Sequence, residues 1–254
     1  MKRKLKLPEA TLSESRGVRC LHLDTPWIQG AMRVSKPLKL ELEYIQRMMA
    51  WMLLRDPATL AHTRCVQLGL GAAAITKFCH AVLRAPTIAV ELNPGVIEVC
   101  RNWFKLPDDD DRLRVINMDA ARYVADATCI ASVDALCVDL YDHEAASPVL
   151  DDESFYRDCW RLLDDGGVMS VNLFGRDASF ERSAARMAAA FGPDRIAKLA
   201  PTRDGNTIVL GWKGFDLPNR ELLAERAELL QNRFELPAGK WVKLLSTFTA
   251  RPTT

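Results

Sequence analysis

The chain has 254 residues, of which 48% are hydrophobic and 26% are charged, a balance that is typical of globular domains and not of disordered segments. Lys and Arg total 34 against 33 Asp and Glu, which gives a net charge of +1. No overall charge therefore favours nucleic acid or an anionic membrane. No apolar run approaches the ~20 residues of a membrane span, and no secretory signal follows the basic N-terminus. We expect a cytoplasmic protein.

The cysteines indicate neither a disulfide framework nor a metal site. There are seven of them, an odd number, and no two form a Cys-x-x-Cys pair that would be typical of zinc. Most lie in apolar runs, where a thiol packs as a small hydrophobic group. We therefore expect no metal.

The first 60 residues predict a small N-terminal segment. Residues 1–16 are polar and predict no regular structure. Residues 18–23 alternate in polarity, and residues 27–34 can return as a second strand, which together predict a β-hairpin. Apolar side chains then recur at helical spacing over residues 40–54, and an Asp-Pro pair ends that helix. We expect Trp27, Trp51 and Trp103 to pack in the core or between domains and not to serve as stacking platforms.

Residues 61–215 predict a Rossmann-like nucleoside-binding domain. Short apolar strands alternate with amphipathic helices, which indicates a parallel sheet covered on both faces. The predicted strands are residues 65–68, 87–90, 113–116, 133–138 and 168–174.

An antiparallel hairpin closes this pattern at residues 195–199 and 207–212. About seven strands in this plan are typical of the class I methyltransferase fold, an α/β doubly wound sheet. Residues 216–254 predict a C-terminal helical extension.

The strongest motif is Gly69-Leu70-Gly71, between the first of these strands and a helix. Glycines there let the backbone approach a ligand closely. A tight strand–helix turn without a ligand fits the motif about as well.

Acidic residues follow the next strands. Glu91 ends the second strand, 20 residues after Gly71, where a carboxylate can accept hydrogen bonds from both hydroxyls of a ribose. Asp119 follows the third strand, where a carboxylate can accept the exocyclic amine of adenine. Each alone fits a helix cap equally well, but ligands of open α/β sheets bind at this edge. The pattern favours an adenosine site.

The fourth strand ends in Asp139, with Asp142 three residues further on. Two carboxylates at this spacing attract a cationic amine, and one of them can take its proton. A helix cap is the simpler alternative. We expect His143 to be a loop residue.

These stretches resemble the spermidine synthases (polyamine aminopropyltransferases) over roughly residues 64–175. The matching segments, of which the second is the most specific, are Leu68-Gly69-Leu70-Gly71, the segment from Val90 to Val99, Met118-Asp119-Ala120, the segment from Val138 to Asp142, and Ser154-Phe155-Tyr156. The helix residues Tyr44 and Gln46 are similar to that family's Tyr-His-Glu stretch. The resemblance implies transfer of an aminopropyl group from decarboxylated S-adenosylmethionine to a small-molecule amine, with methylthioadenosine released.

The resemblance also implies roles for individual residues. Glu91 binds the ribose and Asp119 the adenine, beside Ala120 and the two glycines of the loop. Asp139 activates the attacking amine. Asp142, Tyr141 and Tyr44 line the amine site. A homodimer is a further expectation.

Two departures from the family leave the function open. Ala72 stands where the family's Gly-Gly-Gly-Asp-Gly loop has an Asp that is expected to hold the aminopropyl ammonium. The loop between Tyr141 and Pro148 lacks the family's Ser-Ser-Asp-Pro sequence, and only the two Asp residues of that region are kept. A methyltransferase that uses intact S-adenosylmethionine is the second interpretation. A non-catalytic nucleoside-binding homologue is the third. An NAD dehydrogenase ranks below all three.

Overall fold

A computed structural model describes residues 7–140, 148–174 and 178–247 of the chain. The strands, in chain order, are β1 Ala10–Ser15, β2 Val18–Leu23, β3 Gly30–Arg33, β4 Cys65–Leu68, β5 Thr87–Glu91, β6 Leu113–Asn117, β7 Val133–Val138, β8 Leu163–Phe174, β9 Ile196–Leu199, β10 Asn206–Trp212 and β11 Leu245–Thr247. The α-helices are α1 Glu43–Met48, α2 Ala74–Lys77, α3 Pro94–Trp103, α4 Ala120–Val124, α5 Glu153–Leu162, α6 Ala178–Phe191, α7 Arg220–Phe234 and α8 Ala238–Leu244.

The main sheet has eight strands in the order β11-β9-β10-β8-β7-β4-β5-β6. Strands β6, β5, β4, β7 and β8 run parallel, whereas β10, β9 and β11 add in antiparallel fashion. The predicted α/β class, the doubly wound sheet and the closing hairpin are confirmed. The sheet has one strand more than expected because the short β11 pairs with β9 at the edge.

The strand order reverses beside β4. Strands β5 and β6 follow β4 in order on one side of it, and β7, the next strand in the chain, pairs with β4 on its other side. In open α/β sheets, a crevice forms at the carboxyl ends of the two strands where the order reverses. Here those strands are β4 and β7.

The N-terminal sheet has three antiparallel strands in the order β1-β2-β3. The predicted two-stranded hairpin corresponds to β2 and β3, and β1 was not predicted. Residues 10–15 were predicted without structure because their side chains are mostly exposed, yet β1 pairs along its whole length with β2. Leu21 and Met32 of this sheet share one core with Leu70 and Phe104. The sheet is thereby packed against the loop that follows β4.

Side-chain caps fix where several helices begin. Asn93 accepts a hydrogen bond from the Gly95 N–H at 3.0 Å, with Pro94 in the first turn of α3. Asp119, Asp152 and Asn219 cap α4, α5 and α7 in the same way. Such caps satisfy N–H groups that have no partner inside the helix, so these short sequences define sharp helix starts at the edge of the sheet.

Two predicted helices are irregular. The helix expected over residues 40–54 is α-helical only in α1, and a 3₁₀ turn follows at Met49–Leu54. The helix expected after the Gly69-Leu70-Gly71 motif begins as α2 and continues as a π-helix at Phe78–Val82. Trp51 is fully buried in the core, whereas Trp27 and Trp103 are 61% and 50% exposed and lie outside it. Within the described ranges, no helix is long and apolar enough to cross a membrane.

Candidate active site

A cavity of about 970 Å³ opens at the carboxyl edge of the sheet. Its walls come from the ends of β5, β6 and β7, from β8 and β10, from α1 and from the N-terminal sheet. The sheet order places Asp119 beyond β6, Glu91 on β5, Gly69 beyond β4 and Asp139 beyond β7, in that sequence along the edge. Adjacent strands lie about 4.8 Å apart, so Glu91 and Asp139 are two strand spacings, or about 10 Å, from each other.

The loop after β4 crosses directly over the end of β7. Gly69 has a φ of +83°, and a Cβ added there would lie 2.1 Å from the carbonyl oxygen of Asp139. Both its conformation and its surroundings therefore require glycine. Gly71 also has a positive φ, and its added Cβ would meet the Gln29 carbonyl at 3.0 Å. The two glycines let the loop pass between the N-terminal sheet and the main sheet.

Glu91 fixes this loop from the neighbouring strand. Its Oε2 accepts the Leu70 N–H at 2.8 Å, and its Oε1 accepts the Asn93 N–H at 2.8 Å. Burial raises the pKa of the Glu91 carboxyl, and hydrogen bonds from the backbone at Asn93, Leu70 and Leu92 act in the opposite direction. Each carboxylate oxygen has more than one lone pair, so both can still accept a bond from a ligand in the cavity.

Asp119 lines the cavity and also caps a helix. Its Oδ1 accepts the Arg122 N–H at 3.0 Å at the start of α4. The helix cap uses only one carboxylate oxygen of Asp119. Capping and ligand binding, which were alternatives on sequence grounds, are therefore compatible. Ala120, Leu92 and Met118 line the wall beside it.

Asp139 has two side-chain partners from distant parts of the chain. Its Oδ1 accepts a hydrogen bond from Asn172 Nδ2 at 2.9 Å, and its Oδ2 accepts one from the Tyr44 hydroxyl at 3.3 Å. Desolvation raises the pKa of Asp139 to about 6, although both hydrogen bonds act to lower it. A carboxylate with such a pKa is ionised at neutral pH and still takes up a proton readily, as general bases do.

The N-terminal sheet supplies the wall opposite the main sheet. Gln29, Trp27 and Ile28 line the cavity from the connection between β2 and β3. Trp27 and Ile28 are largely exposed, at 61% and 50%, so they lie at the mouth and not in the depth of the cavity. None of these residues was predicted to line the site, because only the docking of a second sheet brings them to this edge.

Ala72 does not line the cavity. Its side chain is 3% exposed, and a Cβ added to Gly30 would lie 2.7 Å from the Ala72 Cβ. The residue is therefore packed against β3. The next residue, Ala73, adopts the left-handed conformation with a φ of +56°, at the place where the family's loop has its fourth glycine. The loop keeps the glycine-like shape but presents no carboxylate at this point.

Most of the residues predicted for the site come together in the structure. The cavity is lined by Gly69, Gly71, Glu91, Asp119, Ala120, Asp139 and Tyr44. Tyr141, Asp142 and His143 lie outside the described residues. Six polar lining residues were not predicted for the site, namely Gln29, Glu43, Asn93, Asn172, Asp204 and Asn206. Of these, Asn172 offered a signal, as a polar residue inside a buried strand.

Two further acids line the cavity, and one of them already has a partner. Glu43 accepts a hydrogen bond from Arg47 Nη2 at 2.6 Å, one helical turn further on. Asp204 is exposed, on the connection between β9 and β10. Across the described ranges, no three His, Cys, Asp or Glu side chains converge to hold a metal ion.

Comparison with known proteins gives consistent results. A family model described as the spermine/spermidine synthase domain matches residues 77–184. A polyamine aminopropyltransferase from Chromobacterium violaceum is 32% identical over 241 residues, which cover 94% of this chain and 90% of that protein.

The solved structures agree in fold. A probable spermidine synthase from Corynebacterium glutamicum superposes with a TM-score of 0.72 at 20% identity, covering 92% of this chain and 88% of that one. Human methyltransferase-like protein 13, in complex with SAH, gives a TM-score of 0.68 at 23% identity over 77% of this chain and 93% of that one. Both comparisons confirm the class I methyltransferase-like architecture.

Proposed function

The chain belongs to the spermine/spermidine synthase family, and we propose that it transfers the aminopropyl group of decarboxylated S-adenosylmethionine to a small-molecule amine. The family makes it a transferase. The donor, the acceptor and the role of each residue are our proposal, which we base on the groups at the cavity.

The β5–β6 side of the cavity holds the nucleoside half of the donor in this proposal. Glu91 presents a carboxylate that the Leu70 and Asn93 N–H groups orient, and it accepts hydrogen bonds from the ribose hydroxyls. Asp119 accepts from the exocyclic amine of adenine, and Leu92 and Met118 add apolar surface to the same cavity. A volume of about 970 Å³ has room for both the donor and an acceptor, since pockets for drug-sized ligands measure ~300–1,000 Å³.

The β7–β8 side performs the chemistry. An alkyl amine has a pKa near ~10.4 and is protonated at neutral pH, so it must lose a proton before its nitrogen can attack. Asp139 takes that proton. The nitrogen then forms a bond to the aminopropyl carbon as the carbon–sulfur bond breaks. The electron pair of that bond stays on sulfur, which neutralises the sulfonium and leaves methylthioadenosine.

The observation that carries the proposal is the position and state of Asp139. It ends a buried strand at the point where the strand order reverses, its oxygens are oriented by Tyr44 and Asn172, and burial raises its pKa to about 6. A base needs this combination of fixed geometry and proton affinity near the working pH.

The methyltransferase interpretation is not favoured. Its support is the likeness to a methyltransferase at 23% identity, which concerns the fold alone, and a shared fold does not fix a reaction.

The test combines binding and turnover. Calorimetry should detect binding of methylthioadenosine, and incubation with decarboxylated S-adenosylmethionine and a panel of diamines should give an aminopropylated amine by mass spectrometry. Nucleoside binding without product from any amine supports the non-catalytic homologue, and methylated product from intact S-adenosylmethionine supports a methyltransferase.

A further inference from the structure

We propose that Asn206 and Thr202 are positioning residues for Asp139, acting through Asn172, whose amide orientation they fix by a directional chain of hydrogen bonds that starts at a backbone N–H. This inference rests on the proposed role of Asp139 as the base. It concerns a hairpin whose sequence attracted no functional prediction.

The chain of hydrogen bonds begins at a backbone N–H, which can only donate a hydrogen bond. The backbone N–H of Asn206 donates to Thr202 Oγ1 at 3.1 Å. The Thr202 hydroxyl therefore uses its own hydrogen toward Asn206 Oδ1, 3.4 Å away. The Thr202 N–H also donates to the Asn206 carbonyl at 2.8 Å, which holds the two residues in place at the end of the β9–β10 hairpin.

Each further bond follows from the one before it. With its Oδ1 directed at Thr202, Asn206 presents Nδ2 to Asn172 Oδ1 at 3.1 Å. With its Oδ1 so occupied, Asn172 presents Nδ2 to Asp139 Oδ1 at 2.9 Å. An amide side chain can normally turn over and exchange its oxygen and nitrogen. Here the direction is set by a backbone amide at the far end.

The direction matters because Asp139 changes its protonation state. A donor at Oδ1 stabilises the carboxylate, whereas an amide oxygen there would stabilise the protonated acid. Asn172, Asn206 and Thr202 are 2%, 8% and 6% exposed, so water competes little for these bonds and each missing partner is costly. The fixed amide thus keeps Asp139 ready to accept a proton.

Other ionisable groups also face Asp139 or its cavity. Tyr44 contacts it directly from α1. Cys137 lies two residues earlier on β7, where burial raises the pKa of its thiol and Cys65 and Asp139 act in the same direction. The acids that line the same cavity are Glu43, Glu91, Asp119 and Asp204. A test must therefore observe Asp139 itself and not the pH dependence of the whole cavity.

The experiment compares Asn206→Leu, which removes the amide at similar volume, with the wild type. The carboxyl of Asp139 is titrated by carbon-13 NMR in the free protein, with its signal identified by its loss in Asp139→Asn. We expect the pKa of Asp139 to rise by about one to two pH units, because the bond from an oriented amide to a carboxylate is weakened. The acidic limb of the kcat/KM profile should move to higher pH by the same amount.

Two further variants separate positioning from loss of structure. Thr202→Val should raise the pKa of Asp139 in the same direction, and Thr202→Ser should restore the wild-type value because it keeps the hydroxyl. Ser170→Ala is the matched control on β8, since Ser170 is fully buried and its Oγ has no hydrogen-bond partner within the described ranges. It should leave the titration unchanged.

An unchanged pKa in folded Asn206→Leu and Thr202→Val overturns the inference. So does an equal shift in Ser170→Ala, which would show a general effect of perturbing the hairpin or β8. The titration needs no substrate, so a failure of the proposed reaction would appear separately, as absence of product in the wild type.

Discussion

Replacing Gly69 by alanine should damage both the stability and the activity of the protein. The glycine has a φ of +83°, a conformation that costs an L-residue about 1–2 kcal/mol. Its added Cβ would lie 2.1 Å from the Asp139 carbonyl oxygen, whereas ordinary contact begins near 3.4 Å. The loop and the end of β7 must therefore separate by about 1.3 Å, the difference between these distances, and overpacking of this kind costs a further 1–3 kcal/mol, roughly.

The two effects add to a loss of about 2–5 kcal/mol in the free energy of unfolding. Activity should fall by about 10²-fold or more, since a displacement of ~1 Å at a catalytic group has that consequence. Urea denaturation measures the first quantity, and turnover of the decarboxylated donor with a diamine measures the second.

Gly166→Ala is the matched control for this experiment. Gly166 has nearly the same φ, +81°, but a Cβ added there meets nothing within 4 Å. The control should lose only the conformational cost of about 1–2 kcal/mol and should keep its activity. If Gly69→Ala is no less stable and no less active than Gly166→Ala, the close approach of the loop to Asp139 does not exist as described.

Four further predictions concern the site. Glu91→Ala should weaken methylthioadenosine binding, measured by calorimetry, by about 1.5–3 kcal/mol for each ribose hydrogen bond lost, and Glu91→Gln should weaken it by less. Equal affinity in both variants and the wild type would refute the ribose assignment. Asp139→Asn should lower kcat by about 10²–10⁴-fold with nucleoside affinity retained. In the wild type, kcat/KM should decline as the pH falls through about 6, because the protonated base cannot accept a proton; a flat profile over that range contradicts the role. Ala72→Asp should lower the free energy of unfolding by about 2–4 kcal/mol in urea denaturation, because the new carboxylate is buried away from the cavity. For the same reason it should not increase the preference for the decarboxylated donor, and a gain in that preference would show that position 72 reaches the donor.

Much of the main sheet could be predicted from the sequence, because most of its strands are marked by local patterns of apolar residues. The parallel strands are apolar runs, and an acid ends or closely follows β5, β6 and β7. Glu91, Asp119 and Asp139 could therefore be placed at one edge from the sequence. The short edge strands β1 and β11 could not be predicted in this way. Their side chains are mostly exposed, and what makes them strands is pairing with a partner elsewhere in the chain.

The missed site residues depend on contacts between distant segments. Asn172 and Asn206 are 34 residues apart in sequence, and they meet because β10 pairs with β8 in the register that sets Asn206 opposite Phe174. Gln29 reaches the cavity because the N-terminal sheet docks onto the loop after β4. Neither register nor docking leaves a periodic signal in the sequence, whereas the carboxylates at strand ends do.

The measurement that tests the central claim most directly is a competition assay on the wild-type protein. Equal concentrations of decarboxylated and intact S-adenosylmethionine are supplied with a mixture of diamines, and the products are identified by mass spectrometry, with Asp139→Asn run in parallel. We predict aminopropylated amine and methylthioadenosine from the wild type, with both reduced by about 10²–10⁴-fold in the variant. Methylated product, or aminopropyl transfer at the wild-type rate by Asp139→Asn, would contradict the account.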